Sequence, residues 1–555
     1  MEAIGRYLYG SGEDALQESD HSLSKVTSDV KLITIVAVLV YSFVGSPFFG
    51  HSGKGLPPMY GDLEAQRHWM EVTVNLPLGE WYQHTAGNDL LYWGLDYPPL
   101  TAYVSYIFGK IAQWIVPELV EMTASRGCES LGCIAFMRYS VILCDLLIYI
   151  PAAAWTAYKM RSRLVLLLLA LHPSLLLIDH GHFQYNGVCI GLSLMAVLSI
   201  CQDYDVAGSI LFSLALNFKQ MTLYYSPVFF FVLLSKVLHT GRRQGLVAGM
   251  QHLARIGGSV IATFVVLWGP FCLFPLGDAT CASSTFQVLH RLFPFSRGIF
   301  EDKVANVWYV VSVMVDFRQW MPPEELARVS LVLTLVLILP IGVAILGRPA
   351  TTRKSGAEDM VGGRVGAGAD IAMFLLALVT SALAFFLASF QVHEKSLLLA
   401  LVPSAALVSF HDERETSNDA YGSVVWWFQL VGMFTMHPLL LKDGQVVTYW
   451  LCFLATAHSA SLPWRSHFTN LRELRKSNVV SHIMHYLALL SFIGMIALHG
   501  FQLARPALLH DRYPDLYPAL FSIYGAANLL VMYLYFLYRL FVSAGWGQLN
   551  DVKKD

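Results

Sequence analysis

Long apolar runs alternate with short polar segments along most of the chain. The first run covers residues 31–49, the last covers 518–543, and many others lie between them. A helix needs about 20 apolar residues to cross the hydrocarbon core, so the shorter runs do not each span a bilayer alone. The pattern predicts an all-α polytopic membrane protein with roughly 11 to 14 transmembrane helices.

The composition supports this class of protein. Of 555 residues, 55% are hydrophobic and 14% are charged, whereas soluble proteins carry about 25% charged residues. The formal net charge is −2, so the chain offers no basic surface of the kind that binds nucleic acid. The lipid bilayer is therefore an expected partner and a nucleic acid is not.

Polar segments divide the chain into five parts. Residues 1–30 are polar and lack a short apolar segment with a cleavage site, which predicts a cytosolic tail and a first apolar run that stays as an anchor. Residues 31–346 form a first membrane module, which includes the polar loop 50–97. A Gly-rich, basic-leaning stretch, 347–370, predicts a flexible cytosolic linker. A second membrane module, 371–543, and a tail, 544–555, follow.

The distribution of Lys and Arg predicts which loops are cytosolic. Besides the linker, the basic loops are 159–163, 236–245 and 465–476. Loop 50–97 is rich in acidic residues and is expected on the opposite side. If runs 98–116 and 136–158 both crossed fully, however, loop 50–97 and loop 159–163 would lie on the same side. Either one of these runs is interfacial, re-entrant or divided, or loop 159–163 is an exception.

The densest group of charged and aromatic residues lies in loop 50–97, within "YGDLEAQRHWMEVT". Asp62 stands where a helix N-cap is expected. Leu63, Met70 and Val74 would share an apolar stripe suited to a helix lying on the membrane surface, and Arg67 would pair with Glu71 four residues later. An amphipathic helix with solvated charges and a functional site are both compatible with this stretch.

Four further polar groups border apolar runs rather than interrupting them. Charged groups inside lipid cost at least ~2.5–3.5 kcal/mol each, and a position at the end of a span avoids this cost. The group members are Asp96 and Tyr97; Asp179, His182 and Gln184; Arg297, Glu301, Asp302 and Lys303; and His393 with Lys395. The arrangement suits an enzyme that acts on a lipid-borne substrate at the interface, and a transporter is the alternative. Helix capping, ordinary hydrogen bonds and interfacial Lys or Arg side chains would also explain single members.

The eight cysteines are scattered and have no metal-binding spacing. Cys128 with Cys133, and Cys272 with Cys281, would form disulfides if their loops face an oxidising lumen. Free buried thiols are the alternative. Neither a metal nor another cofactor is expected.

Six stretches then occur in an order that resembles a known family: "GDLEAQRHWMEVT", "YWGLDYPPLTAY", "DHGHFQYNG", "NFKQM", "RLFPFSRGIFEDKVANVW" and "FQVHEKS". Together they resemble the endoplasmic-reticulum glucosyltransferases that use dolichyl-phosphoglucose, which are membrane enzymes of the GT-C fold. One branch adds the first glucose to the nine-mannose oligosaccharide on dolichyl pyrophosphate, and the other adds the second. The first and fifth stretches resemble the first-glucose branch. The resemblance implies an endoplasmic-reticulum membrane protein whose active site faces the lumen; the sequence does not indicate an oligomeric state.

The resemblance also implies roles for individual residues. Asp62 would be the catalytic base of an inverting transfer, with Asp96 as the rival base beside Tyr97. The leaving group is a phosphate that is stable without a proton, so no acid is required. Its charge would be stabilised by His393 and Lys395, with Arg297 and Lys303 behind them. The candidates on the acceptor side are Gln66, Arg67, His68, Trp69, Glu301 and Asp302; Asp179, His182 and Gln184 are further candidates.

Overall fold

The computed structural model describes residues 30–46, 49–293, 303–315, 317–348, 365–409, 421–469, 479–504, 512–513 and 515–545. The candidate residues Arg297, Glu301 and Asp302 lie outside this part of the chain. So do nearly all of the two terminal tails and most of the linker between the membrane modules.

All regular secondary structure of the described residues is helical, as predicted. The helices are α1 (Val30–Val44), α2 (Gly61–Asn75), α3 (Pro99–Ile115), α4 (Leu131–Lys159), α5 (Arg163–Phe183), α6 (Asn186–Cys201), α7 (Asp205–Phe218), α8 (Gln220–Gln244), α9 (Leu246–Leu273), α10 (Cys281–Leu292), α11 (Val307–Ser312), α12 (Pro323–Leu346), α13 (Val365–Ala388), α14 (Leu398–Ala406), α15 (Tyr421–Lys442), α16 (Val446–Thr469), α17 (Val479–Ala504) and α18 (Leu516–Ser543).

Within the described ranges, nine helices are long and apolar enough to cross a membrane: α4, α5, α8, α9, α12, α13, α15, α17 and α18. Three shorter apolar helices, α1, α6 and α7, accompany them. The most apolar part of α13 is 89% buried and that of α9 is 22% buried. Helix α13 therefore lies at the centre of the bundle and α9 at its lipid-facing edge. The prediction of a polytopic helical membrane protein is confirmed.

Helix α3 removes the conflict over sidedness, because both of its ends contact α2. The ring of Tyr97, just before α3, lies 4.7 Å from the ring of Trp69. Just after α3, the carbonyl of Leu119 accepts a hydrogen bond from Arg67 at 2.8 Å, and the carbonyl of Val120 accepts one from Asn75. Run 98–116 therefore lies along the loop helix instead of crossing the bundle. Loop 50–97 and the basic loop 159–163 consequently fall on opposite sides.

Two disulfides join the cysteine pairs named in the sequence, Cys128–Cys133 and Cys272–Cys281. Both lie beside loop 50–97. Glu129, next to the first disulfide, accepts a hydrogen bond from the backbone of Gly55, and Gln287, after the second, donates one to Tyr82. The side of the molecule that carries this loop is therefore also the side that carries the disulfides.

Candidate active site

The polar loop 50–97 positions Asp62 through a tight start to α2. The helix begins at Gly61, whose φ of 72° is left-handed, and Tyr60 before it is also left-handed. A Cβ on Gly61 would lie 2.4 Å from the carbonyl carbon of Ser52, so only glycine fits between the two segments. The backbone N–H of Asp62 donates to Oγ of Ser52 at 3.1 Å.

The prediction that Asp62 is the N-cap of this helix is wrong. Tyr60 occupies the N-cap position, and Asp62 lies in the first turn. The Asp62 carboxylate is held by side chains from other parts of the chain instead of by the helix end. It is consequently directed towards these side chains while it stays partly exposed.

The interpretation of α2 as a surface helix with solvated charges is also wrong. The predicted pair of Arg67 and Glu71 forms at 2.7 Å, but both side chains are completely buried. Arg67 also binds Glu64 at 2.7 Å and donates to Ser125. The segment after α3 covers the charged face of α2, which explains why sequence periodicity mistook this face for a solvent-exposed one.

Three donors meet at one oxygen of Asp62. Oδ2 accepts hydrogen bonds from Nε2 of His182 at 3.0 Å and from Nε2 of Gln184 at 2.5 Å, and it also accepts one from Nζ of Lys395. Lys395 lies 3.2 Å from Nε2 of His182. Among the described residues, every hydrogen bond to the Asp62 carboxylate ends on Oδ2 and none ends on Oδ1.

Electrostatics keep this carboxylate charged. Burial disfavours the charged form of Asp62, but the charges and hydrogen bonds of Lys395 and His182 outweigh it and hold the pKa of this carboxyl well below its usual range. Burial likewise disfavours charged Lys395, yet the neighbouring Asp62 raises the pKa of the ammonium above its usual value. The Asp62–Lys395 pair is therefore ionised at neutral pH.

The donors come from irregular segments at the ends of helices. Leu176–Phe183 winds as a π-helix at the end of α5 and carries His182; π-helical turns are often found at functional sites. Lys395 lies in the 3₁₀ turn Glu394–Leu397, just before α14. The His182 side chain is only 2% exposed, whereas Asp62 and Lys395 are 22% and 18% exposed. The two groups that would meet substrate are therefore the accessible ones.

A second layer of residues holds two of the donors. Nδ1 of His182 lies 2.5 Å from Oδ2 of Asp443. Nζ of Lys219 donates to Oε1 of Gln184 at 2.8 Å and to Oδ1 of Asn186 at 2.6 Å. Because Lys219 can only donate, it orients the Gln184 amide with its oxygen towards Lys219 and its nitrogen towards Asp62.

Sequence reasoning missed the roles of Asp443 and Lys219. Lys219 stands in the quoted stretch "NFKQM", at the end of an apolar run, where an unpaired cation would be costly and a partner was to be expected. Asp443 stands in "LLLKDGQ", beyond the quoted stretches, and no local pattern connects it with His182.

The other candidate residues lie at different distances from the Asp62 cluster. Tyr97 reaches the cluster, with its hydroxyl 3.3 Å from Oε1 of Gln184. The backbone carbonyl of Asp96 accepts a hydrogen bond from Gln220. Lys303 pairs with Asp515 at 2.6 Å, beside the start of α18. His393 is exposed and immediately precedes the turn that carries Lys395.

The remaining candidates are mostly interior. Gln66, Arg67, His68 and Trp69 are at most 4% exposed, so direct contact with an acceptor is not available to them in this conformation. Asp179 is fully buried, and its carboxylate accepts hydrogen bonds from Asn186 and the Gly187 backbone. Over the ranges that the structure describes, no three His, Cys, Asp or Glu side chains are grouped so as to hold a metal ion.

A cavity of about 470 Å³ opens beside the start of α2. Loop 50–97 supplies most of its lining, including His51, Lys54, Tyr60 and Trp93, and Asp443 borders it just after α15. Ligand pockets typically measure about 300–1,000 Å³, so this cavity has the size of a ligand site.

A partly exposed carboxylate held by a cation beside the apolar helices of a polytopic protein is consistent with the chemistry expected from the six stretches. The family model described as the ALG6, ALG8 glycosyltransferase family matches residues 33–537. The chain belongs to this family. This match supports the GT-C membrane architecture expected from the sequence over nearly the whole chain.

Individual members of the ALG6, ALG8 family resemble the chain over most of its length. A Dictyostelium discoideum protein named probable dolichyl pyrophosphate Man9GlcNAc2 alpha-1,3-glucosyltransferase is 37% identical over 92% of this chain and 94% of its own. A Gallus gallus dolichyl pyrophosphate Man9GlcNAc2 alpha-1,3-glucosyltransferase is 38% identical over 91% of this chain and 96% of its own. The Saccharomyces cerevisiae protein of that name is 39% identical over 76% of this chain and 72% of its own.

Proposed function

We propose that this enzyme transfers glucose from dolichyl-phosphoglucose to the terminal mannose of Man9GlcNAc2-pyrophosphate-dolichol and forms an α-1,3 linkage. The observation that carries this function is the similarity to first-glucose enzymes, which extends over 92% of the chain in the Dictyostelium relative. The ALG6, ALG8 family membership supports the reaction class. The geometry around Asp62 supports a chemical mechanism for it.

The proposed base is Oδ1 of Asp62. It takes the proton from the mannose 3-hydroxyl while that oxygen attacks C1 of the glucosyl donor. The C1–phosphate bond breaks on the opposite face, and its electrons leave with the phosphate, so the anomeric carbon is inverted. The single carboxylate suffices because the phosphate leaves as a stable anion, unlike the leaving group of a glycoside hydrolysis, which needs an acid.

Lys395 links the departure of the phosphate to the proton transfer at Asp62. Its ammonium contacts Oδ2 of Asp62 in this structure, and a donor phosphate brings a second negative charge that competes for it. As Lys395 turns towards the departing phosphate, it stabilises the developing charge. Asp62 at the same time loses part of the positive charge that lowers its basicity and becomes a better proton acceptor.

We place the site on the lumenal side of the endoplasmic-reticulum membrane. The disulfides Cys128–Cys133 and Cys272–Cys281 support this placement, since disulfides persist in oxidising compartments. The basic loop 159–163, on the opposite side from loop 50–97, supports a cytosolic position for that face.

We also propose that transfer needs no metal, because Lys395 supplies a positive charge to the phosphate. Treatment with EDTA is expected to leave turnover unchanged. Loss of turnover that magnesium or manganese restores would contradict this part of the proposal.

The test is transfer by purified protein in lipid nanodiscs, with dolichyl-phosphoglucose and two competing acceptors. One acceptor ends in nine mannoses and the other already carries the first glucose. The terminal mannose and glucose differ in the orientation of the 2-hydroxyl, and a reversed hydroxyl leaves a buried partner unpaired at a cost of roughly 1–3 kcal/mol. Transfer to the nine-mannose acceptor is expected. Preferential transfer to the glucosylated acceptor would instead identify a second-glucose enzyme, and lipid transport without transfer would identify a transporter.

A further inference from the structure

Asp443 is a buried carboxylate in an unfavourable place. It directly follows α15, where the helix dipole presents negative charge and disfavours an acidic side chain. Its side chain is 4% exposed. A carboxylate withdrawn from water at such a position is costly unless a specific partner compensates for it. That partner is Nδ1 of His182, at 2.5 Å.

The backbone around Asp443 is held in place from two directions. Gly444 adopts a left-handed φ of 74° and stops α15. Loop 50–97 packs directly onto this turn, since a Cβ on Gly50 would lie 1.8 Å from the Asp443 carbonyl oxygen. Gln445 donates to the carbonyl of Gly50. The loop that carries Asp62 and the turn that carries Asp443 are therefore packed as one unit.

The imidazole of His182 lies between two carboxylates. Nε2 is 3.0 Å from Oδ2 of Asp62, and Nδ1 is 2.5 Å from Oδ2 of Asp443. Donation to both carboxylates needs a proton on each ring nitrogen, so His182 is an imidazolium in this arrangement. The hydrogen bond from Nδ1 to Asp443 fixes the ring orientation and holds Nε2–H on Asp62, as carboxylates do for catalytic histidines elsewhere. Lys395 approaches the same Nε2 at 3.2 Å, so the negative charge of Asp443 also offsets the positive charge gathered around His182.

We propose that Asp443 is a positioning residue for the transfer reaction. Acting through His182, it keeps a donor on Oδ2 of Asp62 and so leaves Oδ1 directed to the acceptor hydroxyl. The proposal rests on the proposed function, in which Asp62 is the base. It goes beyond that function by assigning a role to a side chain 261 positions away from His182 in the sequence.

The test compares Asp443→Asn with a matched variant at a similar ion cluster. Like Asp443, Asp205 is a buried aspartate bound to a histidine, His252 at 2.9 Å, and it additionally binds Lys236 at 2.5 Å. It begins α7, and the far end of that helix, about 20 Å away at 1.5 Å per residue, is the one next to Lys219. Asp205→Asn therefore removes the same kind of contact at a distance from the cluster.

Asp443→Asn is expected to lower kcat by about 10²-fold, with KM for the donor changed by no more than about twofold. Asp205→Asn is expected to keep the wild-type kcat. The double variant Asp443→Asn with His182→Gln is expected to have the kcat of His182→Gln alone, since Asp443 acts only through His182. A purely structural role would lower the melting temperature without this non-additivity.

Wild-type kcat in Asp443→Asn, or multiplicative losses in the double variant, would overturn the proposal. If Asp443→Asn does not accumulate as folded protein, Asp443→Glu is assayed in its place. This variant keeps the charge but displaces the carboxylate by one methylene, so its kcat is expected to be reduced. A wild-type kcat in Asp443→Glu would overturn the inference. The wild-type protein is assayed first with the nine-mannose acceptor; absence of transfer there contradicts the proposed function itself, whereas an effect limited to the variants concerns Asp443 alone.

Discussion

At the scale of single residues, the two oxygens of Asp62 have different surroundings. Oδ2 is bound by His182, Gln184 and Lys395, which fixes the carboxylate. Burial disfavours its charged form, but the charges and hydrogen bonds of Lys395 and His182 lower its pKa. A low pKa makes a weak base. In the proposed mechanism, Asp62 becomes a stronger base when Lys395 turns from it to the donor phosphate.

Replacement of Asp62 by Asn should abolish most transfer, because the amide cannot accept the proton of the acceptor hydroxyl. The expected fall in kcat is about 10²–10⁴-fold, the usual contribution of general-base catalysis. Steady-state transfer to the nine-mannose acceptor measures it. Asp89→Asn is the control, since Asp89 lies in the same loop with its side chain 48% exposed. If Asp62→Asn kept normal turnover and Asp96→Asn lost it, the base would be Asp96.

Replacement of Lys395 by Met should change the pH dependence of the reaction. In the wild type the pKa of Asp62 is lowered, so the base stays deprotonated well into the acid range. Without the ammonium, the largest of the interactions that oppose burial is lost and this pKa rises, so the acid limb of kcat/KM should move to higher pH. Turnover at the pH optimum should also fall by about 10²-fold, because the leaving phosphate loses a cation.

A profile of kcat/KM from about pH 4 to pH 8 measures this shift. Lys110→Met, at an exposed position on α3, serves as the control. An unchanged acid limb in Lys395→Met would show that Lys395 does not set the pKa of the base.

At the scale of secondary-structure elements, the start of α2 decides where Asp62 lies. Gly61 combines a left-handed φ with close contact to the backbone of Ser52. The charges further along α2 are buried against the segment that follows α3, with Arg67 between Glu64 and Glu71. The buried ion pairs therefore stabilise the position of α2, and α2 in turn fixes the position of Asp62.

Gly61→Ala should destabilise the protein and reduce kcat together. A residue with a Cβ in the left-handed region costs about 1–2 kcal/mol, and here the Cβ would also clash with Ser52 at 2.4 Å. Gly55→Ala separates the two effects, because Gly55 has a φ of 66° but no atom within 4 Å of its Cβ. Gly55→Ala should lower the melting temperature slightly and leave kcat unchanged. Equal effects of the two substitutions on kcat would contradict a positioning role for Gly61.

At the scale of the whole molecule, the fold brings one face of the membrane bundle together around Asp62. Helix α3 lies along α2 instead of crossing, and both disulfides lie beside loop 50–97. The bundle behind this face contains central helices such as α13 and lipid-facing ones such as α9. The polar cluster around Asp62 therefore lies beside an apolar body of helices, an arrangement that suits the proposed transfer between lipid-linked substrates.

Cysteine labelling in sealed microsomes should report this topology. Leu91→Cys, where Leu91 is 86% exposed in loop 50–97, should react with a membrane-impermeant maleimide only after permeabilisation. Arg161→Cys, in the basic loop 159–163, should react without it. The free cysteines Cys144, Cys189, Cys201 and Cys452 are buried or half-buried, and labelling of the unsubstituted protein measures their background. Labelling of both positions from the same side would contradict the interfacial placement of α3.

The sequence determined the class of the protein because apolar composition acts locally: each long run predicts its own helix, whatever it packs against. It also placed the polar groups at helix ends and singled out Asp62, Gln184, His182 and Lys395 as candidates, through the ordered stretches that resemble the family. Several expectations drawn from the local sequence were wrong at positions where tertiary packing determines the surroundings of a side chain. The N-cap role of Asp62 was lost to Tyr60, and the charges of α2 were covered rather than solvated.

Only the tertiary structure decided which groups meet. His182, Asp443 and Lys395 belong to separate segments: His182 lies 120 positions from Asp62 and Lys395 lies 333 positions from it, while Asp443 lies 261 positions from His182. Hydrogen-bond partners at such separations depend on how helices pack, and no periodicity along the chain encodes that packing. A buried polar group pairs with whichever partner the fold places within about 3 Å of it. Tertiary packing therefore determines the contact of Asp443 with His182 and the orientation of Gln184 by Lys219.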